Sequence, residues 1–506
     1  MPHNSFTEKL LQNSEEDLDE VKVNLPVRKL LRRKFRLICS LLIVFGLSLI
    51  GYLAISKEQS YASISDTSCS LNELKSVSRV EDESDCNIIS NTSTDFQISI
   101  CQSRRNCHSG YVLIERTDKK YCKEANDIEI SPNPSYTELF HAFDGPDTFY
   151  VNFTGVEKYS IYQWLYDENC AYKFPYQFSN AGEVSMEIIH VYKDYDGVNE
   201  VSQSWPPYLG TTLITGYKME VCPGCLTIDS HGARFDTSSK KIRECSREIS
   251  TPGAWLAVNP HTSINISTSG YVWTPLGCQY PNTFRGNRDN QCFRNKRSIL
   301  FFGDSQIRVM YENLWRRLEG QTTRVHAITK FFDMKKEIGN ITLWHHKDVF
   351  LEDIVTRNDS YLMSFDTLVF NFAQWPASGP AFGGHWTTER FLNALNNITD
   401  FLIGVQNRRP NERPLHLIWQ GIHAFSMKNI YSKKRNDWRT LSRLKNWNRL
   451  AENMVRSKGI KTMNSFEITY SMLDTSPDNA HYYGTDAEEA VVDEAIHKLD
   501  LCTPFL

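Results

Sequence analysis

The spacing of hydrophobic positions changes character along the chain. Residues 37–55 form a nearly uninterrupted apolar run of 19 positions, close to the minimum length that crosses a bilayer as a helix. Between about 126 and 250, apolar and polar residues alternate, and strands are predicted at 148–153 and 184–192. These residues contain no long amphipathic helix, which favours an antiparallel β-sandwich of immunoglobulin-like type.

From about residue 290, short apolar strands alternate with segments of helical spacing. The run 298–302 is continuously apolar and is followed by apolar positions at helical spacing from Ile307 to Leu318. Further strands are predicted at 341–344, 367–370, 415–419 and 460–463, with helices over 441–455 and 485–499. This alternation predicts an α/β fold, a doubly wound parallel sheet with helices on both faces.

Charges beside the apolar run predict its topology. Six basic residues precede the run between Arg28 and Arg36, and the positive-inside rule then places the N-terminus in the cytosol and all later residues in the lumen. A cleaved signal peptide is the alternative, but 36 residues precede the run and no small-x-small site follows closely. We therefore expect a single-pass type II protein of the Golgi or endoplasmic-reticulum membrane.

Cysteines and glycosylation sequons agree with a lumenal location. Twelve of the 13 cysteines follow the apolar run, as is typical of an oxidising compartment. All six sequons also follow it, at Asn91, Asn152, Asn265, Asn340, Asn358 and Asn397. Cys222 and Cys225 are interpreted as disulfide-bonded rather than zinc-binding, because no second pair lies at zinc-site spacing. The net charge of -4 indicates no nucleic-acid surface.

These patterns divide the chain into five predicted segments. They are a cytosolic tail at 1–36, a transmembrane signal-anchor at 37–55, a Cys-rich stem at 56–125, the β-sandwich at 126–250 and a catalytic α/β domain at 251–506.

The candidate chemistry lies after the first and last strands of the predicted α/β domain. Ser305 follows the strand 298–302 at the start of a helix, where free backbone N–H groups favour a developing oxyanion. Asp478 and His481 follow the last strand. A serine hydroxyl becomes a nucleophile when a base accepts its proton and a third group orients that base. Sites on open parallel sheets form at the carboxyl ends of strands, so these residues are predicted to converge.

The combination of Gly303-Asp-Ser305-x-x-Arg308 with Asp478-x-x-His481 resembles the PC-esterase branch of the SGNH hydrolase-like proteins. That branch includes sialic-acid O-acetyltransferases, trichome-birefringence-like polysaccharide O-acetyltransferases and neurexophilin-and-PC-esterase-domain proteins. The resemblance covers about residues 250–506 and is supported by four further stretches, 252–255, 273–278, 368–375 and 446–478. The β-rich region before it, with Cys170, Tyr192 and Asn199-Glu200, is similar to the sandwich of the neurexophilin-type members.

The resemblance implies a role for each motif residue. Ser305 would be the nucleophile, His481 the general base and Asp478 its orienting carboxylate, while Asp304 would order the turn. Gly303 and Arg308 belong to the same motif; Arg308 is either part of the site or a salt-bridged arginine. Oxyanion donors would be the Ser305 N–H and a side chain from Asn371 or Gln374. The sequence departs from relatives here, because the usual loop glycine is absent from 371–375.

The sequence therefore predicts a lumenal O-acyltransferase that transfers acetyl to a glycan hydroxyl through an acyl-serine. A glycan O-acetyl esterase with the same site is one alternative, because exclusion of water is a property of the assembled pocket. A non-catalytic binding module is another. No bound cofactor or metal is expected, and His345, His346 and His423 are interpreted as strand or loop residues. Acetyl-CoA is one candidate donor. With one membrane segment, the chain would use a lumenal donor or a donor-supplying membrane partner.

Overall fold

The computed structural model describes the chain in thirteen stretches. They are 84–89, 95–103, 108–126, 134–167, 169–200, 208–221, 244–258, 267–280, 296–321, 333–379, 384–410, 413–426 and 438–501. The predicted cytosolic tail, the membrane segment at 37–55, and Cys222 and Cys225 lie outside these residues.

Eleven strands and two helices occupy the first part of the described chain. In order they are β1 Ser84–Ile89, β2 Phe96–Ser103, β3 Ser109–Arg116, α1 Lys119–Asn126, α2 Tyr136–Asp144, β4 Thr148–Gly155, β5 Glu157–Ile161, β6 Leu165–Asp167, β7 Ala171–Gln177, β8 Gly182–Tyr192, β9 Thr211–Val221, β10 Gly253–Ala257 and β11 Tyr271–Pro275.

These strands form two antiparallel sheets, ordered β1-β2-β3-β7-β6 and β11-β10-β5-β4-β8-β9. Their apolar faces share one core, in which Phe96 and Phe174 of the first sheet lie with Phe149 and Met186 of the second. The strands pair antiparallel because short connections, such as the single residue Val156 between β4 and β5, reverse the chain.

The remaining described chain forms a third sheet with helices between most of its strands. The elements are β12 Arg297–Gly303, α3 Ser305–Leu318, β13 Met334–Ile338, β14 Ile341–Lys347, a 3₁₀ turn Ile354–Thr356, α4 Asp359–Leu362, β15 Thr367–Asn371, α5 Gln374–Ala377, α6 Thr388–Asn407, β16 His416–Gln420, α7 Leu441–Ser457, β17 Lys461–Met463, α8 Phe466–Tyr470, a 3₁₀ turn Leu473–Thr475 and α9 Asp486–Lys498.

The strand order of the third sheet is β13-β14-β12-β15-β16-β17. β12 pairs parallel with both β14 and β15, and β15, β16 and β17 continue the parallel pairing, whereas β13 is antiparallel to β14. Gly303 lies opposite Asn371 in the register. The carboxyl ends of β12, β15 and β16 therefore meet at one edge of the sheet, where Ser305 follows β12 and Gln374 follows β15.

The predicted fold class is wrong for this chain. The prediction is a doubly wound parallel sheet preceded by a β-sandwich and a transmembrane helix. Among the described residues, however, most strand pairs are antiparallel, and the parallel strand pairs lie in one of three sheets. That prediction gives too much weight to the strand–helix alternation after residue 290. It overlooks strands β1–β3 within the polar stretch assigned to a stem.

The sheet boundaries also differ from the predicted segment boundaries. β3, from the predicted stem at 56–125, pairs with β7 of the predicted sandwich at 126–250. β10, from the predicted catalytic domain at 251–506, pairs with β5. Sequence spacing alone does not reveal such long-range pairings.

The described region contains three disulfide bonds. They join Cys86 to Cys101, Cys122 to Cys170, and Cys245 to Cys278. The first connects directly paired residues of β1 and β2, and the second attaches α1 to the turn before β7. The second bond reaches from the predicted stem into the predicted sandwich, which agrees with the strand pairing.

The sequons differ in how accessible their asparagines are. Asn152 is buried in β4 and its side chain accepts a hydrogen bond from Ser160, which leaves little room for a glycan. Asn340, Asn358 and Asn397 are exposed, and their glycosylation stays a prediction. Asn91 and Asn265 lie outside the described residues.

Within the described region, none of the helices is both long enough and apolar enough to cross a bilayer. The predicted membrane segment at 37–55 lies outside that region.

Polar contacts join the second sheet to the segment that leads into the Asp478–His481 loop. The N–H of Ser160 donates to Ser471 Oγ at 3.1 Å, and Lys158 Nζ lies 2.6 Å from Asp474 Oδ1. The Trp255 indole N–H donates to the carbonyl of Ile468. The antiparallel strands thus support the chain on which two of the candidate residues lie.

Candidate functional site

Ser305 lies between a buried strand and a buried helix. β12 ends at Gly303, and α3 begins at Ser305 with Asp304 as its N-cap. Asp304 Oδ1 accepts a hydrogen bond from the N–H of Gln306 at 2.8 Å, which satisfies one of the free donors of the first turn. Asp304 is buried, and this burial raises the pKa of its carboxyl. This contact fits the predicted role of Asp304 in ordering the turn.

Ser305, His481 and Asp478 form one hydrogen-bonded chain. His481 Nε2 lies 2.5 Å from Ser305 Oγ, and His481 Nδ1 lies 2.8 Å from Asp478 Oδ2. Ser305 and His481 are 176 residues apart in sequence, but their side chains are in direct contact. In this arrangement the imidazole can accept the serine proton on one nitrogen while the other donates to the carboxylate.

Asp478 also shapes the loop that holds His481. Its Oδ1 accepts hydrogen bonds from the N–H groups of Ala480 at 3.1 Å and His481 at 3.0 Å. Burial pushes the Asp478 pKa upward, but the hydrogen bond and charge of His481 and the two backbone N–H groups together hold the pKa below its ordinary value. The carboxylate is therefore ionised at neutral pH and suited to stabilise an imidazolium.

Gly303 allows β12 to lie close to β15 immediately before the serine. Its φ is +148°, and a Cβ atom built there would lie 2.1 Å from the carbonyl oxygen of Asn371. Only glycine tolerates both this backbone conformation and this approach. Its role in the structure is steric.

Replacing Gly303 by alanine should destabilise the fold by roughly 2 kcal/mol or more, because the methyl group would push β12 away from β15 and strain the backbone. Thermal or urea unfolding of the purified chain measures this. Gly459→Ala is the matched control, because Gly459 also has a positive φ, +76°, but nothing lies within 4 Å of the point its methyl group would occupy. The control should lose only about 1 kcal/mol. Equal losses in the two variants would contradict the steric role of Gly303.

The other predicted site residues occupy mainly structural positions. Arg308 is fully buried one turn into α3, with Nε 3.8 Å from Glu312 Oε1, and burial lowers its pKa. Asn371 Nδ2 donates to the carbonyl of Gln420 at 2.6 Å and lies 3.3 Å from that of Gly421. Gln374 Nε2 donates to the carbonyl of His423 at 2.9 Å. The geometry therefore gives no support to Asn371 as an oxyanion donor. The N–H of Ser305, at the start of α3, is still positioned where it could bind an oxyanion.

Two residues beside the triad have no role predicted from the sequence. Gln306, directly after Ser305, donates from Nε2 to the carbonyl of Ala480 and accepts from the N–H of His423. His423 is buried, and its burial and the nearby His481 lower its pKa to about 3, so it is neutral. No spacing signal marks Gln306, because its contacts are made to two distant loops.

Metal-binding side chains do not cluster in the described part of the chain, where no group of three or more His, Cys, Asp or Glu could hold an ion. His345 and His346 lie on β14, and His423 lies in the loop after β16.

Comparison with known proteins gives no family. No family model matches the chain, and no curated protein matches it. One crystal structure is similar over 41% of this chain and 98% of its own, with 12% identity and a TM-score of 0.27. An ADP-ribosylation-factor-like GTP-binding protein, the small COPII coat GTPase SAR1 of Encephalitozoon cuniculi in complex with GDP, is similar over 41% of this chain and 83% of its own, with 14% identity and a TM-score of 0.21. Such low TM-scores support no conclusion about fold or function.

Proposed function

We propose that the chain is a serine-dependent acyltransferase that moves an acetyl group to a glycan hydroxyl through an acyl-Ser305 intermediate. The observation that supports this proposal is the continuous hydrogen-bonded chain from Ser305 through His481 to Asp478. The resemblance of the Gly303–Arg308 and Asp478–His481 motifs to the PC-esterase family stays part of the proposal, as do the glycan acceptor and the Golgi or endoplasmic-reticulum location.

The proposed reaction has two steps. Ser305 Oγ attacks the acyl carbonyl of an ester or thioester donor while His481 Nε2 accepts the hydroxyl proton. The bond from the carbonyl carbon to the leaving group breaks, and the leaving group takes that proton. An acceptor hydroxyl then gives its proton to His481 and attacks the acyl-serine, and Ser305 leaves with the proton restored. The Ser305 N–H would bind the oxyanion in both steps.

Water in place of the sugar hydroxyl would make the same site an O-acetyl esterase. The two activities differ only in what reaches the acyl-serine, so the acceptor has to be tested directly.

The test uses the full-length chain purified in detergent. A fluorophosphonate probe and intact-mass spectrometry should first show one covalent adduct, mapped by peptide sequencing to Ser305. The chain is then incubated with acetyl-CoA or an activated acetyl ester and a panel of glycans, and with acetylated glycans in water. A mass increase of one acetyl group on a glycan supports transfer, whereas deacetylation alone supports the esterase. Failure of the probe to label Ser305 would contradict both and leave a non-catalytic binding module.

A further inference from the structure

The side chain of Gln306 connects three separate segments around the triad. It is fully buried, and both ends of its amide are used. Nε2 donates to the carbonyl of Ala480 at 3.3 Å, and Oε1 accepts from the N–H of His423 at 3.2 Å. Since Gln306 directly follows Ser305, one side chain links the nucleophile helix α3 to the loops after β16 and after α8.

Those two loops are also bound to each other. The N–H of Ser426 donates to the carbonyl of Asn479 at 2.8 Å, and the Tyr482 hydroxyl donates to the carbonyl of Ala424 at 2.8 Å. Within the loop of the triad, Asn479 has a φ of +77°, in the left-handed region that asparagine tolerates better than most non-glycine residues. The pair of loops therefore behaves as one unit, and Gln306 attaches that unit to α3.

The position of this attachment matters for the chemistry. Ala480 is the residue immediately before His481, so a shift of its carbonyl moves the imidazole relative to Ser305 Oγ. Misplacement of a catalytic group by about 1 Å can cost on the order of a hundredfold in rate. Without Gln306 the loops would stay folded through their own contacts, but this direct attachment to α3 would be lost.

We propose that Gln306 is a positioning residue that sets the distance and angle between Ser305 Oγ and His481 Nε2. The inference rests on the proposed function, because it concerns the same triad. Gln306 does not touch the reacting atoms; it acts through Ala480 and His423.

Two variants separate positioning from simple support of the fold. Gln306→Leu removes both hydrogen bonds. Gln306→Glu keeps the shape and an acceptor for the His423 N–H, but an ionised carboxylate places a negative oxygen against the Ala480 carbonyl. A protonated carboxyl restores a donor there. Gln406→Leu is the matched control, because Gln406 Nε2 donates to the carbonyl of Leu415, just before β16 and at the opposite end of the parallel strands from the triad.

The measurements are the rate of fluorophosphonate labelling of Ser305 in the full-length chain and, with an activated acetyl ester, kcat and KM. Gln306→Leu should lower the labelling rate and kcat by about 10- to 100-fold with KM changed less than about threefold. The labelling rate of Gln306→Glu should rise relative to that of wild type as the pH is lowered, because protonation of the glutamate carboxyl restores a donor to the Ala480 carbonyl. Gln406→Leu should label at the wild-type rate even where its unfolding temperature falls.

The outcomes distinguish the two proposals. If wild type labels at Ser305 and both Gln306 variants label at the wild-type rate, with unfolding temperatures shifted as in Gln406→Leu, Gln306 has only a structural role and the inference is overturned. If Gln306→Leu fails to fold, the relative pH dependence of Gln306→Glu decides: a constant ratio to wild type across pH overturns it. A wild-type chain that never labels overturns the proposed function and this inference with it.

Discussion

Substitution of Ser305 by alanine is expected to lower acyl transfer about a thousandfold or more while leaving the fold intact. The serine hydroxyl would be the atom that bonds to the acyl group, so its removal eliminates the acyl-enzyme route altogether. Ser305 is 5% exposed and its described side-chain contact is with His481 Nε2. Loss of one hydroxyl should therefore alter the free energy of unfolding by no more than about 1 kcal/mol.

The measurement is the initial rate of acetyl transfer, or of ester hydrolysis, at saturating donor, together with an unfolding curve for each protein. Ser442→Ala is the matched control, because Ser442 is also buried and its hydroxyl lies 3.0 Å from that of Thr148, in a contact between α7 and β4. The control should stay within about threefold of wild type. A Ser305→Ala protein that keeps a substantial part of the activity would remove Ser305 from the mechanism.

Local elements of the third sheet could be predicted because their hydrophobic spacing is strong. The apolar run 298–302 lies within β12, the helical spacing after Ser305 corresponds to α3, and the spacing over 441–455 corresponds to α7. The helix predicted over 485–499 corresponds to α9, with Thr485 at its N-cap and the Thr485 hydroxyl accepting from the N–H of Glu488. Each of these signals lies within one element and needs no knowledge of distant neighbours.

Fold class could not be predicted from such signals alone. β1 is mostly exposed and polar, so its sequence suggests a stem, yet it pairs with β2 and is bonded to it through Cys86 and Cys101. β10 and β11 lie within the predicted catalytic domain at 251–506, yet they belong to the sheet that contains β4. Sheet membership depends on long-range pairing, and local propensity carries little information about it.

The predicted convergence of Ser305, Asp478 and His481 agrees with their hydrogen bonds. Ser305 directly follows β12, whereas Asp478 and His481 lie beyond β17, α8 and a 3₁₀ turn, so a rule for residues at strand ends does not by itself place them. The supporting contacts depend on side-chain distances between loops. Asn371 is a predicted oxyanion donor, yet its amide faces two carbonyls, while Gln306, with no predicted role, joins both loops.

Substitutions of His481 and Asp478 are expected to have the second large effect on activity. His481→Ala should be nearly as damaging as Ser305→Ala, about a thousandfold, because the serine hydroxyl then has no base. Asp478→Asn should be milder, since the imidazole remains and the asparagine oxygen can still accept from the N–H groups of Ala480 and His481. The activity of Asp478→Ala should be lower than that of Asp478→Asn, because alanine also removes the oxygen that accepts from the N–H groups of Ala480 and His481.

The charge of Asp478 matters as well as its hydrogen bonds. Its pKa lies below its ordinary value, so the carboxylate is ionised from pH 5 to 9 and can stabilise the imidazolium that forms when His481 accepts the serine proton. Asparagine keeps the shape but removes the charge, so Asp478→Asn should lower the maximal rate across that whole pH range.

Rates of wild type, His481→Ala, His481→Gln, Asp478→Asn and Asp478→Ala against one substrate, from pH 5 to 9, test this assignment. Glutamine fills a similar space but cannot accept and return a proton as imidazole does, so His481→Gln should resemble His481→Ala. If His481 only filled space, His481→Gln would be close to wild type at every pH. That result would exclude the proposed triad even if Ser305 remained essential, because the hydroxyl would then be activated by some other group.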